Sequence, residues 1–227
     1  MTEHRDCGIV ISMTNDMWNS LGEAERSLRS DTRDGQQVRV LEVEKSYAAA
    51  RPDVWHALTT RERIARWLAP VSGDLELGGR YQIEGNAGGT VLRCDEPDLL
   101  EVTWEYGGDV TWVVVTLSDA GDDGTRLRLE HSAAVDQEKW DEFGPGAVGI
   151  GWEMALGGLR LHLADPGWPG AEPDYADPGY PAFVRTSGAA WAEADAAAGT
   201  DPEQARAAAE RCIAAYTAPP EAPAEDG

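Results

Sequence analysis

Alternating hydrophobic and polar residues mark a series of strands through the middle of the chain. The alternation begins at residues 38–44 and returns, after two short helical segments, in residues 80–84, 90–94, 99–106, 110–117 and 125–131. Turns rich in glycine, aspartate and asparagine separate the later runs. Successive strands joined by short turns predict an antiparallel meander with one buried face and one exposed face.

A helical period appears on both sides of this meander. Residues 51–58 and 60–67 predict two short helices, and Pro52 lies near the start of the first. Beyond Asp136, apolar residues fall at i, i+4, i+7 and i+11, and they are Trp152, Leu156, Leu159 and Leu163. Pro166 would end that long helix. Its place is across the concave face of the twisted sheet, so we predict an α+β fold, a curved antiparallel sheet wrapped around a long helix.

The flanking segments have a different composition. Residues 1–36 read as a polar arm, partly helical or disordered, with a capping-box pattern at residues 20–23. The predicted order is then a domain over residues 38–164, a linker rich in Pro, Gly and Asp over 165–181, a helical extension over 182–218 and a disordered tail over 219–227. Within the extension, helices are expected at residues 189–198 and 204–216, the second after a good start signal at 200–203.

Composition narrows the function classes. The 227 residues include 19 Lys and Arg against 41 Asp and Glu, a net charge of −22 that disfavours nucleic acid and anionic membranes. The sequence contains no signal-peptide pattern and no apolar run of about 20 residues. Three cysteines lie far apart, without metal-ligand spacing. We therefore expect a soluble protein with reduced thiols in the cytoplasm.

Several short segments, taken in their order and spacing, resemble one superfamily. They are Val54-Trp55-His56-Ala57-Leu58-Thr59, Trp67-Leu68-Ala69-Pro70, Leu77-Gly78-Gly79-Arg80-Tyr81, residues 99–104, Gly124-Thr125-Arg126-Leu127, His131-Ser132 and Gly151-Trp152. Together they resemble the SRPBCC superfamily, the START/Bet v 1-like helix-grip proteins. Within it, the chain is similar to bacterial homologues of the heat-shock-protein-90 ATPase activator. The resemblance spans about residues 38–164.

This resemblance implies a cavity between sheet and long helix that holds a small apolar or aromatic molecule. It does not imply one reaction, because members bind lipids, carry polyketides, assist cyclisation, protect against natural products or contact chaperones. It also implies that two C-terminal helices follow such domains in related bacterial proteins.

Strand alternation supplies candidates for the wall of that cavity. Those expected to face inward, opposite the long helix or near the mouth, are Trp55, Trp67, Tyr81, Ile83, Trp104, Val113, Val115, Leu127, Leu129, His131, Trp152 and Leu156. Plain core packing is the alternative for each of them. His131 is the candidate catalytic residue, as a general base or a ligand contact, and a hydrogen-bonded core histidine is the alternative.

Other chemistries lack a sequence signal. The four histidines show no HExxH or other metal-ligand spacing, and neither a GxSxG elbow nor a P-loop occurs. Residues 144–149 fit GxGxxG, but no buried strand precedes them and Pro145 removes an amide, so we expect these glycines to permit a bend before the long helix. We predict neither a metal nor a cofactor.

Three hypotheses for function follow. The first is non-enzymatic binding of a small apolar or aromatic metabolite in the cavity, for sequestration or self-protection. The second is an enzyme of the cyclase or hydrolase type that uses His131 and water in the same cavity. The third is a chaperone-associated interaction module that docks a protein partner through its acidic surface or its C-terminal helices. Oligomeric state and ligand identity are not predicted.

Overall fold

The fold consists of one curved antiparallel sheet and the helices packed on it. The computed structural model describes residue 18 and residues 24–121, 123–165, 167–168 and 175–218. In these residues the strands are β1 (Glu25–Arg33), β2 (Gln36–Tyr47), β3 (Val71–Gly73), β4 (Arg80–Ile83), β5 (Gly88–Asp95), β6 (Leu99–Tyr106), β7 (Asp109–Asp119) and β8 (Thr125–Ala134). They form a single sheet in the order β1-β2-β8-β7-β6-β5-β4-β3 with every neighbouring pair antiparallel.

Six helices complete the described part of the chain. The helices are α1 (Arg51–Thr59), α2 (Arg61–Trp67), α3 (Gln137–Phe143), α4 (Gly146–Ala164), α5 (Gly179–Ala197) and α6 (Pro202–Thr217). In the described residues, no helix is both long and apolar enough to cross a membrane. The predicted α+β helix-grip architecture is confirmed.

The core lies between the sheet and α4. Alternation along β8 buries Leu127 and Leu129 completely or nearly so, and the stripe of α4 buries Leu156 and Leu159 against them. The hydroxyl of Tyr47 on β2 donates a hydrogen bond to the carbonyl oxygen of Leu156 at 3.2 Å, which joins sheet and helix. Burial of these side chains, each contributing about 1.5–3 kcal/mol, stabilises the packing of α4 on the concave face of the sheet.

The prediction of a polar arm over residues 1–36 is wrong for Glu25–Arg33, which form β1. This strand pairs along its whole length with β2 at the edge of the sheet. Its sequence is a mixture of charged and small polar residues, and Leu28 is its sole large apolar residue. The strand therefore lacks the alternating hydrophobic pattern by which the other strands were predicted. The predicted capping box at residues 20–23 lies outside the described residues. Trp18 is buried and packs edge-on against Tyr180 and Phe183 of α5.

The C-terminal helices pack on the main core. Helix α5 begins at Gly179, within the range predicted as a linker, and its Trp191 is completely buried in the same cluster as Ile150 of α4. Helix α6 follows the predicted start signal, since the Asp201 side chain accepts hydrogen bonds from the backbone amides of Glu203 and Gln204. The division of the chain into the five predicted ranges otherwise stays a prediction.

Glycines of the GxGxxG-like segment serve helix packing. Gly144 ends α3 with φ +60, a conformation that favours glycine and lets the chain bend before α4, as the sequence predicted. Gly149 lies directly under Trp191, where an added Cβ atom would stand 2.3 Å from the indole ring. The close approach of α5 to α4 therefore depends on the absence of a side chain at position 149.

Candidate functional site

An apolar cavity of about 120 Å³ lies between the sheet, α4 and the two short helices, and is called the inner cavity below. Strands β4 to β8 supply one wall, while α1, α2 and α4 supply the other. Its lining comprises Leu58, Thr59, Ile64, Trp67, Leu68, Val71, Leu75, Tyr81, Ile83, Val91, Leu100, Val102, Trp104, Val113, Val115, Leu127, Leu129, Trp152 and Leu156. A pocket of this kind binds by apolar contact, because almost every lining side chain is aliphatic or aromatic.

The two hydroxyl groups of the lining are already used by the protein. Tyr81 donates its hydroxyl hydrogen to the carbonyl oxygen of Thr103 at 2.7 Å, and burial raises the pKa of Tyr81 far above its usual range. Thr59 donates to the carbonyl oxygen of Trp55 at 2.8 Å. The inner cavity thus presents a ligand with hydrocarbon and ring surface, and its hydroxyls remain in local hydrogen bonds.

His131 lies beside Trp104 and Trp152, which line this cavity, and both of its ring nitrogens form hydrogen bonds. Its Nδ1 accepts a hydrogen bond from the indole Nε1–H of Trp152 at 2.8 Å, so Nε2 carries the proton and donates it to Thr111 Oγ1 at 2.8 Å. The Thr111 hydroxyl in turn donates to the carbonyl oxygen of Trp104 at 2.9 Å. Burial lowers the pKa of His131 to about 4, which keeps the ring neutral at physiological pH.

A second and larger space, the outer cleft of about 820 Å³, opens beside the inner cavity. Four residues, called the passage residues, line both spaces, and they are Trp67, Leu68, Trp104 and Trp152. The outer cleft also receives His131, the first turns of α4 and the β4–β5 turn. Aromatic rings therefore lie between a small apolar cavity and a wide cleft.

A polar cluster joins α1, α2 and α4. Arg63 of α2 donates to His162 Nε2 at 2.9 Å and to an Asp53 carboxylate oxygen at 2.6 Å. Burial and the neighbouring arginines lower the pKa of His162. In the described part of the chain, no group of three or more His, Cys, Asp or Glu side chains is placed to hold a metal ion.

A comparison with protein families identifies the domain around these two spaces. The sequence model of the family described as Activator of Hsp90 ATPase homolog 1-like protein matches residues 48–164, which is just over half of the chain. The chain belongs to this family. The predicted resemblance to the SRPBCC superfamily and its activator-like branch is thereby confirmed. Proteins with curated descriptions show no match to this chain.

Solved structures extend the likeness of this family member beyond the matched residues. CalU16 from Micromonospora echinospora is 34% identical, and its crystal structure has a TM-score of 0.62 over 75% of this chain and 97% of its own. The solution structure of CalU16 gives a TM-score of 0.66 over 79% and 100%. DynU16, a protein of the dynemicin biosynthetic locus, is 22% identical with a TM-score of 0.52 over 59% and 50%, and at this identity it shows a common fold.

The structure of this family member brings most of the predicted site residues together. The inner cavity is lined by the predicted Trp67, Tyr81, Ile83, Trp104, Val113, Val115, Trp152 and Leu156. His131 lines the outer cleft, where its hydrogen bonds fit the alternative of a bonded core histidine. Trp55, expected near the mouth, lines neither space, because it is 3% exposed within the main core cluster under α1. Ligand contact by these residues stays a prediction.

Part of the lining was missed in the candidate set. Val71 and Leu75 come from a three-residue strand and a loop, too short for a periodic signal. Leu58 and Ile64 belong to the short helices α1 and α2, from which only Trp55 and Trp67 were chosen as candidates. Leu100 and Val102 lie on β6, from which only Trp104 was chosen; both share the face predicted for Trp104, so the same alternation could have identified them.

Proposed function

We propose that this protein binds a small apolar or aromatic molecule in the inner cavity without transforming it, and that it thereby sequesters the molecule or protects the cell from it. The observation that carries the proposal is the lining itself. Its side chains offer apolar surface, and the hydroxyls of Thr59 and Tyr81 donate to backbone carbonyls instead of to a guest. A ligand would be held by burial and ring contacts.

The free-energy cost of an empty cavity supports the proposal that a ligand occupies the inner cavity. An empty apolar cavity costs about 24 cal/mol per Å³, so 120 Å³ costs about 3 kcal/mol of a total stability of about 5–15 kcal/mol. A guest that fills the space recovers much of this cost. The cavity is lined by side chains from both strands and helices, so a guest would contact several elements of the fold at once.

The cyclase or hydrolase hypothesis receives less support from the geometry of His131. A general base needs a free lone pair within reach of the substrate proton, and Nδ1 of His131 already accepts from Trp152. Nε2 holds its proton against Thr111. Catalysis by this ring would require a rearrangement of the Trp152 indole first.

The family assignment supports a second candidate, a chaperone-associated role. The family's description names an activator of the Hsp90 ATPase, and the match covers residues 48–164, which include the whole lining of the inner cavity. Titration of the full chain into purified Hsp90, with the ATPase rate as readout, tests it. A rate increase that saturates at stoichiometric amounts supports this role, and an unchanged rate refutes it.

The binding proposal is tested with a single-ring probe, 4-fluorotoluene, observed by ¹⁹F NMR. We expect saturable binding to the wild-type chain and a loss of at least tenfold in affinity for Val115→Phe, which fills the inner cavity from β7. Val114→Phe is the matched control, because Val114 neighbours Val115 on the same strand and faces the opposite side of the sheet. Equal binding by the wild type and Val115→Phe, or no binding by the wild type, would refute the proposal.

A further inference from the structure

The inner cavity and the outer cleft differ greatly in size but share a wall. The inner cavity measures about 120 Å³ and the outer cleft about 820 Å³. Trp67, Trp104 and Trp152 line both spaces, so a molecule that occupies one space contacts the rings that border the other. The two spaces are therefore adjacent compartments of one site.

Hydrogen bonds fix the rings of the passage. The indole N–H of Trp152 donates to His131 Nδ1 at 2.8 Å, and the indole N–H of Trp67 donates to the carbonyl oxygen of Ala57 at 2.9 Å. Trp104 packs on Trp152 with ring centroids 4.9 Å apart. Because donors and neighbours hold these rings in place, the size of the inner compartment is set by the protein before a ligand arrives.

The volume of the inner cavity limits what can enter it. An apolar cavity of about 150 Å³ holds one benzene ring, whereas pockets for complete metabolites measure about 300–1,000 Å³. A space of 120 Å³ therefore takes one ring or a short branched alkyl group. The outer cleft, at 820 Å³, lies in the range for the rest of a metabolite.

The outer cleft has a different chemistry. It combines aromatic surface from the passage residues and Trp168 with polar groups at its rim, among them Asn86. Arg66 and Glu84, also in its lining, carry opposite charges. A body with uncharged hydrogen-bonding groups suits such a surface, because neither sign of charge dominates the lining of the cleft.

We infer that the ligand is an amphipathic molecule that occupies both compartments. A compact apolar end, no larger than one ring, lies in the inner cavity, and a larger body with uncharged hydrogen-bonding groups lies in the outer cleft against Trp67, Trp104 and Trp152. This inference rests on the proposed function, which concerns the inner cavity alone.

The test compares three probes by ¹⁹F NMR and calorimetry: 4-fluorotoluene for the apolar end, methyl β-glucoside for an uncharged polar body, and 4-fluorobenzyl β-glucoside for both. We expect the conjugate to bind the wild-type chain at least tenfold more tightly than 4-fluorotoluene. Ala155→Leu adds bulk to the outer cleft from α4 and should remove that gain while 4-fluorotoluene still binds. Ala147 also belongs to α4 and to the lining of the outer cleft, and it is exposed. Ala147→Leu therefore repeats the test at a second position.

Each outcome separates the two proposals. If 4-fluorotoluene binds but the conjugate gains less than twofold, or if the gain persists in both cleft variants, the two-compartment inference fails and the proposed function stands. If 4-fluorotoluene fails to bind the wild-type chain, both fail. Tight binding of methyl β-glucoside that survives Val115→Phe would also overturn the inference, because it would place recognition in the cleft alone.

Discussion

Replacement of His131 by Phe tests the electrostatic description of the site wall. The substitution keeps a ring of similar size but removes His131 Nδ1, which accepts a hydrogen bond from the Trp152 indole N–H at 2.8 Å. Trp152 itself is only 9% exposed. A buried donor left without an acceptor costs about 1–3 kcal/mol. At neutral pH we therefore expect His131→Phe to unfold at a lower urea concentration than the wild type, with an unchanged slope.

The same substitution changes the pH dependence of stability. Burial lowers the pKa of His131 from 6.5 to about 4, so between these values the unfolded chain binds a proton that the folded chain does not. Stability from the neutral ring is fully present above pH 6.5 and is lost as the pH falls towards 4. Each unit of difference in pKa corresponds to about 1.4 kcal/mol, which gives a loss of about 3 kcal/mol over this range.

The assay is urea unfolding at several values of pH from 7.5 to 4, followed by far-ultraviolet circular dichroism. Acidic residues titrate in both proteins, so the informative quantity is the difference in unfolding free energy between wild type and variant. We expect the wild type's advantage at neutral pH to disappear and then reverse towards pH 4, as the wild type alone must exclude the His131 proton. His56→Phe, at an exposed histidine, is the matched control. A constant difference between wild type and His131→Phe at every pH would refute the buried neutral ring.

Three further predictions concern the elements that hold α4 in place. Gly149→Val should lower the thermal midpoint markedly, because its Cβ would stand 2.3 Å from the indole of α5, whereas Gly151→Ala, with 3.5 Å to the nearest atom, should be well tolerated. Glu153→Ala should lower the free energy of unfolding in urea by about 3–5 kcal/mol, because it removes the carboxylate that lies 2.7 Å from the mostly buried Arg26 of β1. A loss below about 1 kcal/mol would contradict this. Asp201→Ala should cost about 1 kcal/mol and speed amide exchange in the first turn of α6 alone.

The strands that one could predict from the sequence are those with one buried face. Leu127 and Leu129 alternate with charged residues on β8, and this period survives in the structure because one face of the strand meets α4 and the other meets water. Strand β1 gives no such signal. It is held in the sheet by backbone pairing with β2, the next strand in the sequence, and by the Arg26–Glu153 ion pair, which joins distant parts of the sequence.

Candidate site residues follow the same division. The alternation along β7 predicted that Val113 and Val115 face inward, and both line the inner cavity. Trp55 was placed wrongly because a helix of nine residues has several partly apolar faces, and only packing decides that its indole enters the core. The role of His131 depends on Trp152 and Thr111, which lie about twenty residues away on other elements. Hydrogen-bond partners at such separations cannot be predicted from the alternation of hydrophobic and polar residues along a strand.

The most direct test of ligand binding is native mass spectrometry of the full chain purified from its source cells, followed by extraction and identification of what it holds. We expect a stoichiometric small molecule with an apolar, ring-sized end, and Val115→Phe purified in the same way should lack it. A ligand at a hundred times its dissociation constant should also stabilise the chain by about 2.7 kcal/mol. An empty wild-type chain that gives no thermal shift with a panel of hydrophobic metabolites would show that the inner cavity is not a binding site.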